Sequence, residues 1–217
     1  MRILAVLFFV IGTSISTIPV VAQNTERAST LNKRLEAELL RMGADDQKYR
    51  GVIEAEMIKM SAAGTNDASA EFIAAVKNQD EIDARNMARL EEIIKQNGWP
   101  GKSLVGAEAG QAAFLILQHG DLARQEKYLP VLKAAAKKGD ARAADVAMLE
   151  DRVLVRRGKK QIYGTQVHSG TETGGKLVLA PIEDEEHVDE RRKAVGLMPL
   201  GEYLKHFGIE YKPPLRK

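Results

Sequence analysis

Residues 103–121 read SLVGAEAGQAAFLILQHGD. Between Ala107 and Leu117 the only polar side chains are Glu108 and Gln111. A helix that is apolar almost all round is buried on most sides. The stretch therefore predicts a central helix, capped at its start by Ser103 and ended at Gly120, with other helices packed around it. Gln118 and His119 close that helix, and the apolar turns before them deliver both into the interior.

The flanking segments supply the surrounding helices. Leu31, Leu35, Leu39 and Met42 recur at three- and four-residue steps, which is a helix face closed by Gly43. A second helix is expected from Asp45-Asp46 to about Ala63, with Ile53, Met57 and Met60 on one side. Gly64 to Asp67 reads as a turn, and a third helix spans 68–97 with Phe72, Val76, Met87, Leu90 and Ile94 on one face. Asn97-Gly98 with Pro100 beyond is a stop signal. After the central helix the chain restarts at Gly120-Asp121, and Pro130 is expected to bend or split the next helix near Leu129. Another helix starts at Gly139-Asp140 and ends at Arg156-Arg157-Gly158.

The periodicity then changes. Residues 162–168 and 176–182 are β-prone around a turn-rich stretch at 170–175, which reads as a β-hairpin. Short helices are expected at 188–195 and 200–207. The predicted fold is mainly α: one helical bundle-like domain over residues 23–211. A C-terminal hairpin at about 162–182 packs on it, and residues 212–217 form a loose tail.

Residues 1–22, MRILAVLFFVIGTSISTIPVVA, have a positive Arg2, an apolar run and small residues before position 23. That is the layout of a secretory signal peptide. Gly12 to Thr17 and Pro19 interrupt the run, which disfavours a spanning anchor of about 20 mainly apolar residues. Export to the periplasm or the medium is expected, with no membrane span left after cleavage. Of 32 basic residues only Arg2 is lost, so 31 face 30 acidic ones. Such balance excludes a general nucleic-acid binder, and 5% aromatic residues leave little for base stacking. The absence of cysteine removes disulfides, thiol catalysis and thiolate metal sites, so the core alone must hold the domain.

Polarity on apolar faces is the most informative signal. Advancing about 100° per residue, Asp46 and Arg50 fall in the arc of Ile53, Met57 and Met60. Asp83 and Asn86 fall in the arc of Met87, Leu90 and Ile94. His119 lies at the edge of the Ala112–Ile116 face. Glu150 falls within the arc of Val146, Ala147, Val153 and Leu154, with Asp151 at its edge. Isolated buried charges cost several kcal/mol, so these groups should meet each other. Arg50 is expected to be buried against Asp46, Asp83 or Glu150. The meeting groups would form either a structural ion-pair network or a functional pocket.

From Asn97 onward the chain carries a GWP turn, a QH-x-D element at 118–121, an LP-x-L element at 129–132, the pair Asp151-Arg152 and YGTQ at 163–166. With Asp46-Gln47 and Arg50 before them and Arg192 after, these resemble the motifs of a bacterial exported family of unknown function, over about residues 46–204. The resemblance implies a shared fold unit and no particular activity.

His119 is the candidate acid–base residue, with Asp121 across the Gly120 turn and Asp151 as further catalytic candidates. Asp46, Gln47, Arg50, Asp83, Asn86, Gln118, Arg152, Tyr163, Gln166 and Arg192 are the candidate binding residues, suited to a small polar ligand. No HExxH or HxH spacing exists, and neither a G-x-S-x-G nor a phosphate loop occurs, so no metal or cofactor is expected. His168, His187 and His206 should be exposed. Two functions remain in view: a helical binding or structural module of the bacterial envelope, and an exported hydrolase-like enzyme using His119 with a carboxylate. N-terminal sequencing of the exported protein should begin at Gln23; a chain retained in the membrane from Met1 would contradict the signal-peptide reading.

Overall fold

The computed structural model describes residues 20–65, 67–168 and 177–214. Residues 1–19 of the expected leader, the hairpin turn at 170–175 and the tail end 215–217 lie outside them. The elements run α1 (Val20–Gln47), α2 (Arg50–Ala63), α3 (Ala70–Asn97), α4 (Lys102–Val105), α5 (Ala107–His119), α6 (Leu122–Lys137) and α7 (Ala143–Arg156). There follow β1 (Val167–His168), β2 (Val178–Leu179), a 3-10 turn at Glu185–His187, α8 (Val188–Ala194) and α9 (Leu200–Lys205). The fold is mainly α with one C-terminal antiparallel hairpin, as its sequence pattern predicts.

α5 is the centre. Ala109, Ala112, Ala113, Phe114, Ile116, Leu117 and Gln118 are all buried on it, and α1, α3, α4 and α6 pack around it. Leu39 from α1, Leu90 and Ile93 from α3, Leu132 from α6 and Leu149 from α7 complete one core with Phe114 and Leu117. Each such side chain contributes about 1.5–3 kcal/mol on leaving water. A second, smaller cluster joins Ile182, Val188, Leu200 and Leu204 below the hairpin.

Several boundaries differ from the sequence reading. Gly43 does not close α1, which continues to Gln47. Its missing side chain serves close packing: a Cβ on Gly43 would stand 2.7 Å from Cβ of Ala112 on α5. Asp46 is therefore on the last turn of α1, and α2 starts only at Arg50. α2 buries little, so Met57 is exposed and not on a core face. Ser69 is the N-cap of α3, accepting from the amide of Phe72.

Ser103 is not a cap but lies inside α4, and Gly106, at φ 83°, separates α4 from α5. That left-handed backbone is cheap only for glycine. Pro130 neither ends nor splits α6, which runs through it with the proline on the exposed side. α7 starts after Arg142, because Asp140 is drawn back to the amide of Ser103, 2.6 Å away.

The hairpin is shorter than its β-prone sequence. Among the described residues the antiparallel ladder consists of Val167–Leu179 and His168–Val178, with a separate parallel bridge between Gln161 and Ile182. The amides of Ile162, Tyr163 and Thr165 point instead to the Asp151 carboxylate at 2.7–3.2 Å, and the Thr165 hydroxyl adds a bond of 2.9 Å. Donors taken by a side chain cannot extend a ladder.

The α1–α5 contact generates a stability prediction. Gly43→Ala should lower stability by about 1–3 kcal/mol, the usual result of overpacking, in urea unfolding followed by circular dichroism. An unchanged midpoint would mean that α1 and α5 can separate freely at this level.

Candidate functional site

The last turn of α1 carries Asp46 into full burial. Its carboxylate takes Nδ1 of His119, 3.0 Å from each oxygen, across 73 residues of chain. Gln47 Nε2 donates at 2.7 Å, and Arg50 donates through Nη2 at 3.1 Å and Nε at 3.3 Å. Arg50 Nη2 also reaches Asp83 Oδ1 on α3 at 2.7 Å. The expected Arg50–carboxylate pairing is thus present with both Asp46 and Asp83, while Glu150 pairs with Lys133 on α6 instead.

α3 supplies the support. Gln79 is buried, and its Nε2 donates to Asp83 Oδ1 at 2.8 Å and to the Asp46 carbonyl at 2.9 Å, while its Oε1 accepts from the Tyr49 amide at 3.1 Å. Asn86 donates to the Met42 carbonyl at 3.0 Å. Gln79 thus ties down one of the last carbonyls of α1, which lack helical partners, and Asn86 fastens the turn before it. The Gln79 signal lies in the sequence: it stands four residues before Asp83, on the same stripe as Asn86 and Leu90.

The tautomer of His119 follows from its partner. Burial pushes the Asp46 carboxyl up, but the bonds from His119 and Arg50 outweigh it and hold the group below its ordinary value of 3.8. An ionised carboxylate only accepts, so Nδ1 carries the proton and Nε2 keeps its lone pair in the neutral ring. No described residue bonds Nε2, and the His119 side chain is 18% exposed. The arrangement is an imidazole oriented by a buried carboxylate, with its free nitrogen toward solvent.

Asp121 does not share this cluster. After the extended Gly120 it becomes the N-cap of α6, accepting from the Arg124 amide at 2.8 Å and pairing with the Arg124 guanidinium. Asp151, Tyr163, Gln166 and Arg192 gather elsewhere, as a clasp. Asp151 gathers the 162–165 amides, and Arg192 donates to the carbonyls of Met198 and Tyr163 at 2.6 and 2.7 Å with its guanidinium 4.9 Å from the Tyr203 ring. Gln166 reaches the Thr165 hydroxyl at 3.0 Å, and its amide donates to Gln161 Oε1 at 2.8 Å. Gln118 is buried, its carbonyl held by Gln125 at 2.7 Å and its Oε1 without a partner among the described residues.

Arg152 lies on α7 between the two groups in sequence, with a buried Nε that no described residue bonds. His168, His187 and His206 are exposed, as expected. Among the described residues no three His, Asp or Glu side chains are grouped as a metal would require. A cavity of about 640 Å³ lies between α9 and the segment to Pro213, lined by Asp189, Pro199 and Tyr211, and holds none of the His119 cluster. No described helix is long and apolar enough to cross a membrane.

The lowered Asp46 carboxyl has a pH consequence. Its charge adds stability that is present above the ordinary value of 3.8 and lost as pH falls through the lower folded value. Acid melts of the wild type should therefore steepen below pH about 4, and Asp46→Asn should flatten that slope while lowering stability at neutral pH. An acid profile identical in the two proteins would exclude the linkage.

No curated protein and no solved structure matches this chain. A family model described as "Family of unknown function (DUF6624)" matches residues 33–212, which span α1 from Lys33, the His119 cluster and the clasp. The chain belongs to this family of unknown function, DUF6624.

Proposed function

We propose that the protein is exported to the bacterial envelope or beyond, as one domain over residues 23–211, and uses His119 with Asp46 for acid–base chemistry on a small polar substrate. The observation carrying this reading is the doubly accepted Nδ1 of His119, which leaves Nε2 unbonded on a partly exposed ring. The sequence put forward Asp121 and Asp151 as catalytic carboxylates and Asp46 and Asp83 among the inward ones; Asp46 is the one within reach.

The step is a hydrolysis. Nε2 takes a proton from a water molecule as its oxygen bonds to the electrophilic centre of the substrate. The ring, now cationic, faces the Asp46 carboxylate, and returns the proton to the leaving group as that bond breaks. Water is the nucleophile, because no hydroxyl or carboxylate of the described residues is bonded to Nε2. Arg50 and Gln47 act as positioning residues, since they hold Asp46 and do not reach the ring.

A second reading, a binding or structural module without turnover, has its own support. Asp46, Asp83, Gln79 and Arg50 are mutually satisfied, as a network that fixes the packing of α1 to α3 would be. The two separate on one variant. His119→Ala should reduce hydrolysis of chromogenic ester or phosphoester substrates by roughly 10²–10⁴-fold, in addition to the stability it costs by taking a donor from the buried Asp46. Absence of turnover in the wild type across such a panel, with His119→Ala costing stability alone, would favour the module.

A further inference from the structure

Most of the described arginines are matched; of the others, Arg34 and Arg41 are exposed. Arg50, Arg89, Arg124, Arg142 and Arg157 each meet a carboxylate, and Arg192 spends its donors on backbone carbonyls. Arg152 has neither. Its Nε is buried without a partner, and no described carboxylate pairs with it. A guanidinium nitrogen withdrawn from water without a partner is costly.

Its surroundings add positive charge. Arg156, one turn further along α7, donates through Nη1 to the carbonyl of Gly120 and to Gln125 Oε1, both at 3.1 Å. Gly120 directly follows His119, so α7 is tied to the end of α5 at the acid–base residue. Burial first, then the like charges of Arg156 and Arg50, depress the proton affinity of Arg152. The Tyr203 phenol, which donates to the Thr165 carbonyl at 2.8 Å, lies on the remaining side. The bond from Arg156 to Gly120 brings this pair of guanidinium groups to the end of α5, one residue from His119.

We propose that Arg152, with Arg156 one turn on, holds an oxyanion of the ligand, a phosphoryl or carboxylate group, beside the His119–Asp46 pair. The planar guanidinium fork matches either group with two parallel hydrogen bonds. This rests on the reading of that pair as the site, and names the class of substrate: a small molecule carrying an anionic oxygen group next to the bond that is cleaved. Arg156 Nη2 is available for the same anion, since its recorded bonds use Nη1.

The test compares the exported wild type with Arg152→Gln and His119→Ala, titrated calorimetrically with orthophosphate and with succinate against chloride at equal ionic strength. The wild type and His119→Ala should bind one of the two probes, and that probe identifies the phosphoryl or the carboxylate source. Arg152→Gln should bind it at least about tenfold more weakly. In anion-free buffer Arg152→Gln should melt at or above the wild-type temperature, because it removes a charge that nothing neutralises. Arg152→Lys should recover binding in part, as it keeps the charge without the fork. Equal binding by Arg152→Gln and wild type, binding of neither probe by the wild type, or a lower melting temperature of Arg152→Gln in anion-free buffer would each overturn the proposal. Anion binding that needs Arg152 in a protein without turnover would leave it standing and remove only the acid–base reading.

Discussion

A carboxylate that is fully out of water sits where the C-terminal ends of two helices meet. Asp46 is on the last turn of α1 and His119 on the last turn of α5. Both helix ends carry partial negative charge from their unpaired carbonyls, and Asp46 and Asp83 add to it. Such a corner is stable only if donors and cations are brought to it. Arg50 answers two carboxylates at once, Gln79 and Asn86 answer the carbonyls, and His119 answers Asp46 from the other helix. The α1–α2 turn, the inward amides of α3 and the end of α5 are all arranged around that one buried charge.

Adjacent residues on α7 serve different ends. Asp151 is saturated by three amides and a hydroxyl, so it shapes the 161–166 segment and fastens it to the bundle. Arg152, rotated by about 100° on the same helix, is left over from the internal pairing. The YGTQ stretch is accordingly a fastening, held from one side by Asp151 and from the other by Arg192. The polar residues singled out in the sequence divide into the His119–Asp46 cluster and the clasp that closes the C-terminal segment over α7.

The burial of α5 was legible because an apolar surface on all sides has one outcome in water. The inward positions of Asp83 and Asn86 were legible for a related reason: their periodicity matches that of Met87, Leu90 and Ile94 beside them. The arc of Ile53, Met57 and Met60 is no core face, Asp46 is buried from the end of α1, and Arg50 is only partly buried where it meets Asp46. The partner of His119 was not. Pairing across 73 residues depends on the spacing and rotation of helix axes, which no local period records. Asp121 was attractive because it is near in sequence, yet its own helix start claims it. Gly43 misled because a glycine marks a helix end and a close contact with equal ease, and only the position of Ala112 decides between them. The hairpin was overread because the side chain that consumes its amides lies on another helix.

The Gly43–Ala112 contact has a bearing on the site that goes beyond packing. Glu36 faces Gly106, Gly43 faces Ala112 and Asp46 faces His119, so α1 and α5 advance side by side in the same direction. From Ala112 to His119 is seven residues, about 10 Å of helix, and from Gly43 to Asp46 is under one turn. The contact works as a fulcrum for both arms. The separation of imidazole and carboxylate is inherited from a hard-sphere stop between two small residues, while the hydrogen bonds only report it. The pairing of imidazole and carboxylate is thus tuned by changing size at the pivot, under one turn from Asp46 and about two turns from His119.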